Sequence, residues 1–231
     1  MALSDDLKAE VAKIFGDRWT SRDGTTVPDP EDLKLSNDAV KLDGVVLYAD
    51  LAESTSLVET ETDEFAAEIY KTYLHCATKI IRRYEGEITS FDGDRVMAVF
   101  IGGSKNTNAV RSALAINHAV TQIINPAIGK QYPSKSYRVK HAVGIDSSPL
   151  FIARTGIRNN NDLVWVGRSA NIAAKLCSQR EGSYASWITK SVYDVMGKNV
   201  KFHDQTDMWE QVWWSEKSMY VYRSSYYWSV D

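Results

Sequence analysis

The chain has 231 residues, of which 44% are hydrophobic and 25% charged, and its formal net charge is −3. This balance is typical of a globular protein, and it excludes a disordered chain or one that binds nucleic acid through a large basic surface. The longest apolar stretches, such as Val45–Ala49, are far too short to cross a bilayer. We therefore expect neither a nucleic acid nor a membrane as a partner.

The two cysteines, Cys76 and Cys177, do not form a CxxC pair, and the N-terminus lacks the basic start and apolar core of a signal peptide. These features predict a reduced, cytoplasmic protein without a structural disulfide.

The pattern along the chain predicts a peripheral helix and linker over residues 1–43, followed by one main domain over residues 44–231. That domain opens with Gly44–Leu51, an almost continuous apolar run typical of a buried strand. Over Asp63–Tyr84 the apolar residues recur at helical spacing.

Further along, Glu87–Phe91 and Arg95–Ile101 are predicted to form a hairpin. A second long helix is predicted over Asn106–Asn125, with Pro126 ending it.

The remaining segments predict a strand pair, a helix and a closing hairpin. The strand pair is Tyr137–Asp146 with Leu150–Thr155, the helix is Ser169–Ser178 and the hairpin lies near Val212–Trp228. Strands and helices in this order predict an α+β sandwich, in which helices pack on one sheet.

Two carboxylates stand at strand ends. Asp50 ends the first buried strand, and Asp94 lies at the turn of the first hairpin. Buried strands seldom carry Asp unless the charge is paired or metal-bound, and neighbouring strands can bring two such side chains to one sheet edge, where they would hold hard divalent cations. The spacing alone also fits a hairpin-turn Asp94 and an Asp50 that caps a helix.

Three segments, in order, resemble the motifs of class III adenylate and guanylate cyclases. Val46–Leu57 is similar to F-x-D-I-x-x-F-T-x-L and Gly93–Phe100 to G-D-x-x-M-A-x-F, whereas Val143–Asp146 with Val166–Leu176 resembles G-I-x followed by G-x-x-V-N-x-A-x-R-L. Three ordered motifs are a specific signal. The resemblance implies a cyclase-type sandwich with a mainly antiparallel sheet and a head-to-tail homodimer, which closes a nucleoside triphosphate into a 3′,5′-cyclic monophosphate and releases pyrophosphate.

The resemblance also implies a role for particular residues. Asp50 and Asp94, with the carbonyl of Leu51, would bind two Mg²⁺ or Mn²⁺ ions. The backbone of the next four residues would cradle the phosphates at a helix start. These residues are Ala52, Glu53, Ser54 and Thr55.

Three polar residues complete the implied site. Asn171 would orient the ribose, Lys175 would stabilise charge at the α-phosphorus, and Lys217 is a weaker candidate for the triphosphate tail. Lys175 stands where the family usually has Arg, so the bidentate fork is lost. Without the motif, Asn171 and Lys175 read as solvated residues on one helix face.

The two positions that select the base differ from those of the purine cyclases. Adenylate cyclases of the family normally have Lys with Asp or Thr there, and guanylate cyclases have Glu with Cys. The corresponding positions are Ser90 and Val164. Tyr48, which replaces the usual Phe, either narrows the base pocket or is a core aromatic residue.

These departures and the segment Tyr48–Thr55 resemble the pyrimidine cyclases of bacterial Pycsar antiphage systems. This resemblance implies UTP, or alternatively CTP, as the substrate, and a separate effector protein that responds to the cyclic product. An atypical adenylate or guanylate cyclase, and a degenerate domain that only binds nucleotide or a partner, are the other interpretations.

Overall fold

The computed structural model of the chain describes residues 2–231. Its helices are α1 (Leu3–Gly16), α2 (Ser54–Thr60), α3 (Asp63–Arg83), α4 (Lys105–His118), α5 (Asn125–Gln131), α6 (Arg168–Leu176), α7 (Lys190–Tyr193) and α8 (Lys198–Lys201). Its strands are β1 (Thr20–Asp23), β2 (Asp38–Leu51), β3 (Glu87–Asp92), β4 (Arg95–Phe100), β5 (His141–Ile157), β6 (Asn160–Val166), β7 (Ser186–Thr189), β8 (Phe202–His203), β9 (Thr206–Asp207), β10 (Glu210–Trp214) and β11 (Met219–Ser224). Across the described residues, no helix is both long and apolar enough to span a membrane.

The chain divides into two compact units. The smaller unit comprises the chain up to Asp43 together with Pro149–Gly167. In it, β1 pairs in parallel with the first part of β2, and β6 pairs in antiparallel fashion with the last part of β5. The larger unit comprises Gly44–Ser148 together with Arg168–Asp231.

The sheet of the larger unit has the strand order β10-β11-β7-β5-β2-β4-β3. Strand β4 is antiparallel to both β2 and β3, and β11 is antiparallel to both β10 and β7. Strand β7 runs parallel to β5. The mainly antiparallel sheet and its helices confirm the predicted α+β class.

One face of this sheet is covered by α3 and α4. Leu47 and Ala49 of β2 and Val96 and Ala98 of β4 are completely buried in the core that these helices complete. Because side chains alternate along a strand, the residues between them project to the opposite face. That second face therefore carries Asp50.

Helix α6 lies on the second face, directly against β5. A Cβ at Gly144 of β5 would lie 2.2 Å from the carbonyl oxygen of Ala173 and 2.4 Å from the amide nitrogen of Cys177. Only glycine permits this approach of helix to strand. The glycine of the third motif therefore fixes the position of the helix that carries Asn171 and Lys175.

Most predicted elements are confirmed, but β5 is one continuous strand where the sequence predicts the pair Tyr137–Asp146 and Leu150–Thr155. Its true antiparallel partner is β6, which begins after a two-residue turn with Asn159 in the left-handed region, at φ 68°. A strand can continue through Pro149 where no ladder hydrogen bond from that nitrogen is needed.

The second long helix also continues past Pro126, contrary to the prediction. A π-helical segment, Ala119–Ile124, follows α4, and Pro126 falls in the first turn of α5. The N–H of Asn125, just before the proline, donates to the carbonyl oxygen of Val120, so the hydrogen-bond pattern already changes at the π-helical segment where the proline is tolerated.

Candidate active site

Two rows of side chains cross the second face of β2, β4 and β3. In the first row Asp50 lies opposite Arg95, and Arg95 lies opposite Asp92. Residues paired across strands project to the same face, so these three side chains are neighbours. The first row therefore places a basic residue between two carboxylates at the strand ends.

The second row lies two residues further into the sheet. Met97 is opposite Tyr48 on one side and opposite Ser90 on the other. Met97 is buried, whereas Tyr48 and Ser90 are half-buried. The Arg95 guanidinium lies 6.0 Å from the centre of the Tyr48 ring. The sequence prediction named Tyr48 and Ser90 separately, and the register shows that they share one row.

Asp50 is almost completely buried and forms two ion pairs. Its Oδ2 atom lies 3.2 Å from Nη2 of Arg95 and 3.0 Å from Nη2 of Arg180. Two arginines thus compensate the charge that burial would otherwise make costly.

The charge of Asp94, at the turn between β3 and β4, is less well compensated than that of Asp50. Ser54 hydrogen-bonds to its carboxylate, but burial above all, together with the charge of Asp50, raises the pKa of Asp94. Its Oδ2 atom is buried and finds no hydrogen-bond partner among residues 2–231. An unpartnered carboxylate oxygen beside a second carboxylate fits a bound cation.

The donor set also suits a hard divalent cation. Asp50, Asp94 and the carbonyl of Leu51 supply only oxygen ligands, which Mg²⁺ and Mn²⁺ prefer. Within residues 2–231, no group of three or more His, Cys, Asp and Glu side chains is suited to hold a metal. Substrate oxygens and water would therefore have to complete the coordination.

The predicted phosphate cradle lies at the junction of β2 and α2. The Ala52 N–H donates to the carbonyl oxygen of Lys140 over 2.8 Å, and Glu53 is in the left-handed region at φ 62°. Glu53 also pairs with the Lys140 ammonium at 3.1 Å. Helix α2 then begins at Ser54, with Thr55 exposed in its first turn.

A cleft of about 370 Å³ opens beside this junction. Its lining includes two cationic side chains, Lys140 and Arg180, together with Ala52, Glu53 and His141. The lining also includes Glu181, so the cleft brings charged side chains of both signs to the backbone that is predicted to meet phosphate.

The predicted basic residues form a separate group. Lys175 and Lys217 lie 2.9 Å and 3.2 Å from the same oxygen, Oε1 of Glu216. Asn171 is exposed on α6, one turn before Lys175. In the smaller unit, Val164 is 40% exposed on β6.

Besides Met97 in the second row, the sequence analysis missed three residues of the candidate site. Arg95 follows Asp94 directly, and the hairpin register places it opposite Asp92, but its place opposite Asp50 depends on the pairing of β2 with β4. Lys140 precedes the third motif, and Arg180 lies beyond its end. Neither of these two has a spacing signal that points to Asp50.

His141 in the cleft gives a stability prediction. Burial, and secondarily the charge of Arg180, lowers the pKa of His141 to about 3. Below its ordinary pKa of about 6.5 the unfolded chain binds a proton that the folded chain refuses, so stability is full above that value and falls as the pH drops. Between pH 7 and pH 5 we expect the free energy of unfolding of His141→Gln, measured with urea, to fall by about 2 kcal/mol less than that of the wild type. Equal losses would contradict this.

Comparison with known proteins agrees with the geometry. The chain is 49% identical to the uridylate cyclase of Burkholderia cepacia and 46% identical to that of Xanthomonas perforans, and each match covers 100% of both chains. No protein-family model matches the chain.

Solved structures show the same fold. A bacterial light-regulated adenylyl cyclase superposes with a TM-score of 0.67 at 21% identity, covering 80% of this chain and 90% of that one. The guanylyl cyclase Cya2 also has a TM-score of 0.67, at 16% identity, covering 82% of this chain and 95% of the other. The sequence and the fold point the same way: the chain belongs to the uridylate cyclase family of class III nucleotidyl cyclases.

Proposed function

We propose that this enzyme converts UTP into 3′,5′-cyclic UMP and pyrophosphate. The observation that carries the proposal is the pair of rows across β2, β4 and β3. One row consists of Asp50, Arg95 and Asp92, and the other combines Tyr48, Met97 and Ser90. The charge of Asp50 also acts on Asp94, at the turn that follows Asp92. The names of the full-length relatives support the same substrate.

In the proposed reaction the ribose 3′-hydroxyl loses its proton to solvent, and its oxygen attacks the α-phosphorus. The bond from that phosphorus to the bridging oxygen breaks, and pyrophosphate leaves with the electron pair. Asp50, Asp94 and the Leu51 carbonyl would hold two divalent cations, Mg²⁺ or Mn²⁺. These ions would supply charge stabilisation to the phosphates and make the 3′-hydroxyl more acidic.

The chain's own residues position the triphosphate. The backbone from Ala52 to Thr55 would cradle the phosphates. The N–H groups of Glu53, Ser54 and Thr55, at the start of α2, have no intrahelical partner and would donate to phosphate oxygens, whereas the N–H of Ala52 already donates to Lys140. Lys140 lies against this backbone and adds positive charge. The reaction then depends mainly on positioning and electrostatics, as is general for phosphoryl transfer.

The second row would form the base pocket. Tyr48 narrows it, and Ser90 offers a hydroxyl that can donate or accept. The Nε–H of Arg95 is buried and has no partner among the residues described here. This donor suits the O4 carbonyl of uracil, whereas cytosine presents an amino donor at that position. The arginine therefore favours UTP over CTP.

The basic group would complete the site of a second subunit. We propose a head-to-tail homodimer in which Asp50 and Asp94 of one chain meet Asn171, Lys175 and Lys217 of the other. An isologous pair of this kind contains two sites. Val164 on the exposed face of β6 would approach the base across the same interface.

The proposed biological role is antiphage signalling. The resemblance to Pycsar cyclases favours a cytoplasmic second messenger in antiphage defence, in which cyclic UMP activates a separate effector protein. The catalytic part would be residues 44–231, with residues 1–43 appended.

The test is kcat/KM for UTP, CTP, ATP and GTP at one Mn²⁺ concentration, followed by pyrophosphate release. UTP is expected to exceed CTP about ten- to a hundredfold, the value of one mismatched hydrogen bond in a closed pocket, and both purines are expected to be poor. A higher kcat/KM for CTP than for UTP would overturn the choice of UTP. A higher kcat/KM for ATP or GTP than for either pyrimidine would overturn the pyrimidine assignment.

A further inference from the structure

Arg180 lies just beyond α6 and joins the end of that helix to Asp50. Its Nη2 atom donates to Oδ2 of Asp50 over 3.0 Å and to the carbonyl oxygen of Leu51 over 3.2 Å. Its Nη1 atom donates to the carbonyl oxygens of Cys177 and Gln179. The guanidinium is thus held on two sides by oxygen acceptors.

The two acceptors of Nη2 coincide with the proposed cation ligands. Asp50 Oδ2 and Leu51 O belong to the same two groups that the proposed function assigns to a divalent cation. A cation would sit about 2 Å from such oxygens, and a guanidinium on the same oxygens would repel it. The two positive charges therefore compete for one place.

The surroundings allow the arginine to leave that place. The Arg180 side chain is 35% exposed and borders the cleft of about 370 Å³. It belongs to the irregular segment between α6 and β7, in which Gly182 is in the left-handed region at φ 54°. Arg95 also contacts Asp50, but it belongs to a strand and to the first row.

We propose that Arg180 is a built-in counter-ion, which neutralises Asp50 in the metal-free enzyme and is displaced when a divalent cation binds. This inference rests on the cation site of the proposed function. It assigns Arg180 a positioning role that the three cyclase motifs do not contain. Removing the guanidinium should therefore strengthen cation binding, whereas a residue that helps to bind the metal would weaken it when removed.

The experiment measures Mn²⁺ binding to nucleotide-free protein by electron paramagnetic resonance of free Mn²⁺. We expect Arg180→Gln to lower the Kd for Mn²⁺ about tenfold, the scale of a charge-assisted hydrogen bond that no longer competes. Arg180→Lys should have a smaller effect, because lysine keeps the charge but loses the fork. In an Asp50→Asn background, Arg180→Gln should change nothing.

Arg138→Gln is the matched control. Arg138 is an exposed arginine that also donates to backbone carbonyl oxygens, those of Lys135 and Tyr137, over 3.2 Å and 2.7 Å. Its loss changes the net charge equally, so an unchanged Kd would exclude a long-range charge effect. Circular dichroism and thermal melting check that each variant is folded. If Arg180→Gln does not fold, Arg180→Lys tests the proposal, because its Kd for Mn²⁺ is expected to be lower than that of the wild type.

Two results would overturn the proposal, and they differ in what else they affect. Mn²⁺ binding that depends on Asp50 but is unchanged or weakened in the folded Arg180 variants would overturn the counter-ion role and leave the cation site intact. Binding that does not depend on Asp50 in any variant would overturn the cation site itself, and the counter-ion with it.

Discussion

Asp94→Asn is expected to lower kcat/KM for UTP in the presence of Mn²⁺ by at least about a thousandfold. The amide keeps the size of the side chain but removes the charge that the proposed cation needs. The structural reason is the Oδ2 atom of Asp94, which has no hydrogen-bond partner among residues 2–231. A steady-state assay of pyrophosphate release measures the effect.

Stability separates this role from a structural one. The folded-state pKa of Asp94 is raised, so its ionised form is disfavoured in the fold, and its contribution to stability is lost as the pH rises through that pKa. At neutral pH we therefore expect Asp94→Asn to melt at the wild-type temperature or slightly above it. Asp63→Asn, an exposed carboxylate in the first turn of α3, is the control and should keep full activity. Near-wild-type turnover in Asp94→Asn, or a melting temperature many degrees lower, would contradict the assignment.

Much of the fold could be predicted from periodicity. Apolar spacing identified α3, and short alternating runs identified the hairpin of β3 and β4. The pattern failed at Pro149 and Pro126, because the cost of proline depends on whether a backbone N–H is needed at its position. That depends on strand register and on the π-helical segment, Ala119–Ile124, neither of which local composition encodes.

Less of the site could be predicted, for a related reason. Asp50 and Asp94 stand in motifs whose strand context is visible in the sequence. Arg180 reaches Asp50 from 130 positions along the chain, and only the close packing of α6 on Gly144 places it there. Met97 was missed because its partners, Tyr48 and Ser90, become neighbours only when the register of three strands is known.

The proposed sharing of the site between two subunits predicts that activity is recovered when two inactive variants are mixed. Asp50→Ala and Asn171→Ala are each expected to be inactive, because each would damage both sites of the proposed homodimer. After subunit exchange, half of the dimers are mixed, and each mixed dimer holds one intact and one doubly damaged site. About a quarter of the wild-type activity should therefore return, as the symmetry of an isologous pair requires.

The control for this experiment is a second mixture, Asp50→Ala with Asp94→Ala. Both residues belong to the acidic group, so every site in the mixed dimer lacks one carboxylate and no activity should return. Differently tagged subunits, pulled down together, establish that exchange has occurred. If exchange is complete and the first mixture stays inactive, each chain builds its own site, and Lys175 and Lys217 at Glu216 are surface residues rather than half of a shared centre. If both mixtures regain activity, the carboxylates do not act together, and the division of the site into an acidic and a basic half is wrong.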